Sequence, residues 1–186
     1  MSDAAHFDRI YAGSADPWGY ETSAYEAGKY AATLDALPRR RWGAALEVGC
    51  SIGVLTLRLA AICDRLTAID GAARALGRCR ARLAPQPHVD VRHGRVPVDW
   101  PDQPYDLIVL SELIYYLPEP DIHAIAKLTG QALRPDGHAV LVNHTGRTDT
   151  PLTGAEAEAL FVATTGLPVV TRSEQPGFHL ALLRRD

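Results

Sequence analysis

The sequence predicts an α/β domain in which a mostly parallel sheet carries helices on both faces. Short, near-continuous apolar runs alternate with segments of helical spacing, the pattern of strands buried on both sides. A glycine-containing turn, Gly49-Cys50-Ser51-Ile52-Gly53, follows the first run. The last two runs are joined only by Ser173-Glu174-Gln175-Pro176-Gly177, too short for a crossover helix, so they are expected to pair antiparallel. With 186 residues, 47% apolar and 22% charged, the chain is ordinary globular material for one structural domain.

The elements follow in order. From His6 to about Leu37 the chain is rich in aromatics, with a turn at Asp16-Pro17-Trp18-Gly19 and helical spacing from about Thr22 to Leu37, ended by Pro38. Residues 1–42 are read as a helical lid or substrate segment, and 43–186 as the core. Strands are expected at Ala44–Val48, Leu66–Asp70, Val89–Arg92, Tyr105–Leu110 and Gly137–Val142, then at Pro168–Thr171 and Phe178–Leu183. Helices are expected at Val54–Ala61, Ala72–Leu83 and Ile122–Leu133.

Charge narrows the function classes. The net charge is −3, with 19 basic and 22 acidic residues well mixed, so no basic field exists to gather nucleic-acid phosphates. The polar start MSDAAHFDRI and the absence of a long apolar run give no reason to expect a membrane; a cytoplasmic protein, monomeric or homodimeric, is expected. Cys50, Cys63 and Cys79 lack metal-ligand spacing and read as reduced thiols; no metal is expected.

In open α/β sheets ligands bind beyond the carboxyl ends of the strands. There Gly49 and Gly53 would let backbone approach a ligand, and the helix N-terminus behind them favours an anion. Asp70 ends the second strand at about the twenty-residue offset from which a carboxylate accepts ribose hydroxyls. The plainer readings are a glycine turn for structural reasons and Asp70 as a helix cap. Taken jointly, the glycines and Asp70 imply an adenosine-containing ligand. Serine at position 51 breaks the dinucleotide fingerprint G-x-G-x-x-G, which leaves NAD as the minor alternative.

Glu47-Val-Gly-Cys-Ser-Ile-Gly53, Ala68-Ile-Asp70, Tyr105-Asp-Leu-Ile-Val-Leu-Ser-Glu112 and Leu133-Arg-Pro-Asp-Gly137 resemble the ordered motifs of the class I S-adenosylmethionine-dependent methyltransferases. Within that class the chain resembles the nodulation protein S (NodS) type of N-methyltransferase, including the DPW turn, YE-x-x-KY, EVGCSIG and IVLSE-x-x-YYL. The resemblance implies a Rossmann-like, seven-stranded sheet whose antiparallel last strand inserts beside the fifth. It also implies S-adenosyl-L-methionine as cofactor, with Gly49, Cys50 and Gly53 toward its methionine part, Asp70 on the ribose, and Glu47, Val96, Ser111 and Trp18 in the same site. Where this class often places an acid for the adenine amino group, the chain has Arg95.

The acceptor is expected beyond the fourth strand. Methyl transfer is an in-line displacement that needs alignment and exclusion of water, and an amine acceptor must also be unprotonated. Glu112 is a candidate to anchor or deprotonate such an amine, Tyr116 to orient it, and His144 to act as a base. The alternatives are a capping role for Glu112, core packing for Tyr115 and Tyr116, and a structural hydrogen bond for His144. Trp18, Tyr20, Tyr25, Lys29 and Tyr30 are candidates for a lid, and the loop after His144 for a further wall. The expected activity is N-methylation of an amino sugar or carbohydrate-linked amine. The competing functions are small-molecule O-methylation and a non-catalytic cofactor-binding module.

Overall fold

A computed structural model describes residues 4–146 and 148–186. Arg147, in the loop expected to wall the acceptor site, and the first residues of the polar start lie outside them. The strands are β1 (Trp42–Val48), β2 (Cys63–Asp70), β3 (Val89–His93), β4 (Tyr105–Ser111), β5 (Leu133–His144), β6 (Val169–Gln175) and β7 (Phe178–Arg184). They form one seven-stranded sheet in the order β3-β2-β1-β4-β5-β7-β6. Pairings among β1 to β5 are parallel, while β7 runs antiparallel to both β5 and β6. The final pair is thus a hairpin whose second strand wedges beside β5, as expected. Strand order reverses between β1 and β4, and a crevice opens there beyond the strand ends.

Alternation along β4 shows why both faces are covered. Ile108 and Leu110 point into a core with Ile122, Ile125 and Phe161. Their neighbours Leu107 and Val109 point the other way, toward Leu55, Leu59 and Tyr30. The first face is covered by α5 (Glu119–Ala132) and α6 (Gly154–Thr165), and the second by α2 (Ala24–Asp35) and α3 (Val54–Ala60). Helix α4 (Ala73–Leu83) packs its Leu76, Cys79 and Leu83 against Cys50 and Ala68.

Three expectations shift. Trp42, assigned to the N-terminal segment, is the first residue of β1 and is buried in the core. Strand β5 begins at Leu133, because Leu133 already pairs with Tyr105 before a register shift resets the ladder at Leu107. Helix α6 occupies a stretch for which the sequence pattern predicts no element. The opening segment contains α1 (Ala4–Gly13) ahead of the turn at Asp16–Gly19, where the Asp16 carboxylate accepts the N–H groups of Tyr20 at 2.8 Å and Glu21 at 2.9 Å. No helix among the described residues is long and apolar enough to cross a membrane.

Candidate active site

The glycine turn after β1 sits under the crevice. Gly49 has φ +83°, and a side chain there would press on Leu113 at 3.3 Å, so the open floor depends on glycine. Ser51 also has a left-handed backbone, φ 51°. Its N–H donates to Asp70 Oδ2 at 2.8 Å, while Asp70 Oδ1 accepts from Ala72 N–H at 2.7 Å. The carboxylate of Asp70 therefore ties the ends of β1 and β2 together and still lines the main cavity. Burial raises its pKa, opposed by those two backbone donors. The helix-capping reading of Asp70 is not met, since its donor Ala72 precedes the first turn of α4 and that helix has no side-chain cap at its N-cap residue.

The main cavity is a cleft, partly open to solvent, beyond the ends of β1 and β2. Its floor is Gly49, Ser51 and Asp70, and Gly94, Arg95 and Val96 form one side. Phe7 and Tyr11 of α1 and Trp18 of the turn form the roof, with Trp18 stacked on Tyr20 at a centroid distance of 5.6 Å. Tyr11 shares a short hydroxyl contact with Ser51, which fastens α1 to the glycine turn. A second, smaller cavity joins at Gly49 and Ser51 and is bounded by Glu47, Ser111 and Glu26. Glu47 is fully enclosed, and burial pushes its carboxyl up to about 8.

A third cavity, the chamber, lies on the far side of Glu112 and is lined by Trp18, Tyr25, Lys29, Tyr116, His144 and Thr148 among others. Tyr20 and Glu112 border all three cavities. Glu112 holds φ 54°, an uncommon backbone for a side-chain-bearing residue. Its Oε1 accepts from Lys29 Nζ at 2.9 Å, and its Oε2 takes a short hydrogen bond from the Tyr115 hydroxyl. Lys29 donates equally to Glu26 at 2.9 Å. Burial alone would lower the Lys29 pKa, but the Glu112 and Glu26 carboxylates outweigh it and raise the pKa above the usual lysine value.

The structure therefore gathers Gly49, Asp70, Val96, Trp18, Glu112 and Tyr116 around the main cavity, with Glu47 and Ser111 at the second and His144 at the third. Two assignments change. Cys50 turns its thiol away from the crevice, to 4.0 Å from Cys79 Sγ in the apolar seam under α4, and offers the site only backbone. Gly53 lines none of the three cavities. A Cβ there would meet Cys79 Sγ at 2.8 Å, so glycine serves helix–sheet packing at that position. Tyr115 is buried, supports Glu112 and borders only the chamber, whereas Tyr116 borders both the chamber and the main cavity. Sequence reasoning missed Glu26, and also Asp121, which shares the main cavity with Arg95. The YE-x-x-KY pattern carried the signal for Glu26, since a glutamate three residues before lysine shares its helix face.

This sheet order, with a reversed last strand, a glycine turn after β1 and an acid at the tip of β2, is the architecture of the class I methyltransferases. The family model described as Nodulation protein S (NodS) matches residues 8–172, and the chain belongs to that family. Nodulation protein S of Bradyrhizobium diazoefficiens is 37% identical over 124 residues, 65% of this chain and 59% of the relative. The match thus spans less than two thirds of that relative's length. A candidate methyltransferase of Pseudomonas syringae is 36% identical, with a TM-score of 0.78 over 88% of this chain and 100% of the other. The N-methyltransferase NodS of Bradyrhizobium japonicum WM9 aligns at a TM-score of 0.75 and 27% identity over 87% of this chain and 96% of the other. Its complex with S-adenosyl-L-homocysteine aligns at a TM-score of 0.81 and 24% identity over 98% of each chain.

Proposed function

We propose that the chain is an S-adenosyl-L-methionine-dependent N-methyltransferase acting on an amino sugar or a related carbohydrate-linked amine. The observation that carries this reading is the convergence of three cavities on Glu112 and Tyr20, a layout that suits a nucleoside, an amino-acid tail and an acceptor meeting at one point. Membership of the NodS family supports it. The residues present fit the cofactor: Gly49 leaves the floor bare, Asp70 presents a carboxylate at the tip of β2, and aromatic rings form the roof.

When bound, the cofactor supplies an electrophilic methyl group on a sulfonium, and the chain does the rest. Asp70 accepts the ribose hydroxyls with lone pairs left over from its two backbone bonds. Glu47, Ser111 and the backbone of Gly49 and Cys50 border the amino-acid tail, while Val96 borders the base. Trp18, Tyr20 and Tyr116 exclude water and present ring faces that suit a cation. Glu112, fixed by Lys29 and Tyr115, would anchor the acceptor nitrogen, so that entropy is lost before the chemical step. Tyr116 orients the acceptor. His144, on the acceptor side, takes the proton that the amine must shed before it can attack. Helix α1 acts as a lid, held to the glycine turn through Tyr11 and Ser51. The acceptor is a small molecule or oligosaccharide.

Calorimetric titration tests the cofactor half of the reading. S-adenosyl-L-homocysteine should bind and NAD should show no comparable affinity; the reverse order would overturn it. Glu112→Gln tests the acceptor half. It keeps the shape and removes the charge, so turnover should fall roughly 10²-fold or more while the Kd for S-adenosyl-L-homocysteine stays nearly constant. Equal losses in both would assign Glu112 to cofactor binding instead.

A further inference from the structure

We propose that Glu26 on α2 selects the acceptor by charge, so that the chamber beside Glu112 admits a singly charged ammonium and rejects neutral and anionic groups. The inference rests on the amine-methylating reading and assigns its specificity to a residue outside the glycine turn and the strand ends. Lys29 and Glu26 are 3% and 7% exposed, yet both border the chamber. One ammonium stands 2.9 Å from each of two carboxylates, Glu26 and Glu112. Two carboxylates against one ammonium leave one negative charge uncompensated in a largely desolvated place, where an unpaired charge is costly.

A second observation points to a ligand. Glu26 Oε2 is buried and makes no hydrogen bond of normal geometry among the described residues, with the Tyr30 hydroxyl beside its carboxylate, although Glu26 borders two of the cavities. The walls suit the same guest. Lys29 Nζ already lies 5.2 Å from the centre of the Tyr25 ring, and Trp18, Tyr20 and Tyr116 supply further aromatic surface. An entering ammonium would complete the charge balance and give Glu26 Oε2 a donor. A hydroxyl or an acetamide would leave the net charge standing, and a carboxylate or phosphate would add to it. Lys29 offsets one of the two carboxylates and so limits the chamber to one unit of negative charge.

Charge variants separate this from a purely structural cluster. Protein loaded with S-adenosyl-L-homocysteine is titrated calorimetrically with glucosamine, N-acetylglucosamine and glucuronic acid. The wild type should bind glucosamine and discriminate against both others. Glu26→Gln cancels the net charge and should weaken glucosamine about tenfold or more. The double variant Glu26→Gln/Lys29→Gln restores one net negative charge through Glu112 and should recover most of the loss. N-acetylglucosamine binding as tightly as glucosamine, an unchanged Glu26→Gln variant, or a double variant as weak as the single one would each overturn the proposal. Failure of S-adenosyl-L-homocysteine to bind the wild type would sink the methyltransferase reading separately, and glucosamine titrated into the unloaded protein would still read the role of Glu26.

Discussion

Asp70 and Glu47 lie on adjacent strands, within one site, and carry carboxyls of opposite use. Asp70 accepts two backbone N–H groups and is expected to accept ribose hydroxyls as well. Asp70→Ala removes a charged acceptor worth roughly 1.5–3 kcal/mol, so S-adenosyl-L-homocysteine affinity should fall by about tenfold to a hundredfold. Unchanged affinity in a folded variant would leave Asp70 a joint between β1 and β2 and nothing more. Glu47 has its carboxyl raised by burial from an ordinary 4.5 to about 8. The unfolded chain therefore sheds that proton first, and stability falls as pH rises between those two values, then levels off above the upper one. Glu47→Gln cannot ionise. Its stability relative to wild type should climb by a few kcal/mol, at about 1.4 kcal/mol per pH unit, between about pH 5 and about pH 8 in urea unfolding curves. A flat difference across that window would show that Glu47 is ionised in the folded protein.

The turn between β1 and α3 is an element whose glycines divide their work. Gly49 keeps the cavity floor open, whereas Gly53, at φ +81°, lets α4 bring Cys79 against the sheet. Gly53→Ala should cost roughly 1–3 kcal/mol for the left-handed backbone alone, with the Cys79 contact adding to it, and the urea midpoint would drop accordingly. A midpoint equal to wild type would mean that α4 shifts freely to make room. Strands and their glycine turn were legible because each is a local signal: apolar runs, a Gly-x-x-x-Gly interval, an acid at a strand end. Helix α6 was not, because its apolar residues surround the axis and no single stripe marks a 3.6-residue period. Its ends were nonetheless written in the sequence as a capping box between Thr153 and Glu156 and a left-handed Gly166. Glu26 is legible only as the helix neighbour of Lys29, itself a lid candidate. Charged side chains on a helix normally mark its solvent face, and only the fold shows that this face of α2 is turned inward onto Glu112. The side-chain direction of Cys50 likewise depends on α4, a partner that adjacent sequence does not specify.

At the scale of the whole molecule, the sheet supplies a rigid floor, and α1 with the turn at Trp18 supplies the roof. Helix α1 touches the rest through Phe7, Tyr11 and the flank of α4, so the core is expected to fold without it. Deleting residues 1–13 should leave the cooperative unfolding transition in place and weaken S-adenosyl-L-homocysteine about tenfold or more, the scale of losing one or two buried contacts. Unaltered affinity would deny α1 any role as a lid. The central claim is that the three cavities bring a methyl donor to a free amine. Its most direct measurement is transfer of label from tritiated S-adenosyl-L-methionine to an oligosaccharide bearing a free 2-amino group, run beside the N-acetylated counterpart, whose nitrogen lone pair is delocalised. Label should appear on the free amine, at a rate that rises with pH as the amine loses its proton, and should be absent from the acetamide. Label on a hydroxyl of either compound, or on a hydroxylated small molecule while the free amine stays inert, would contradict the account.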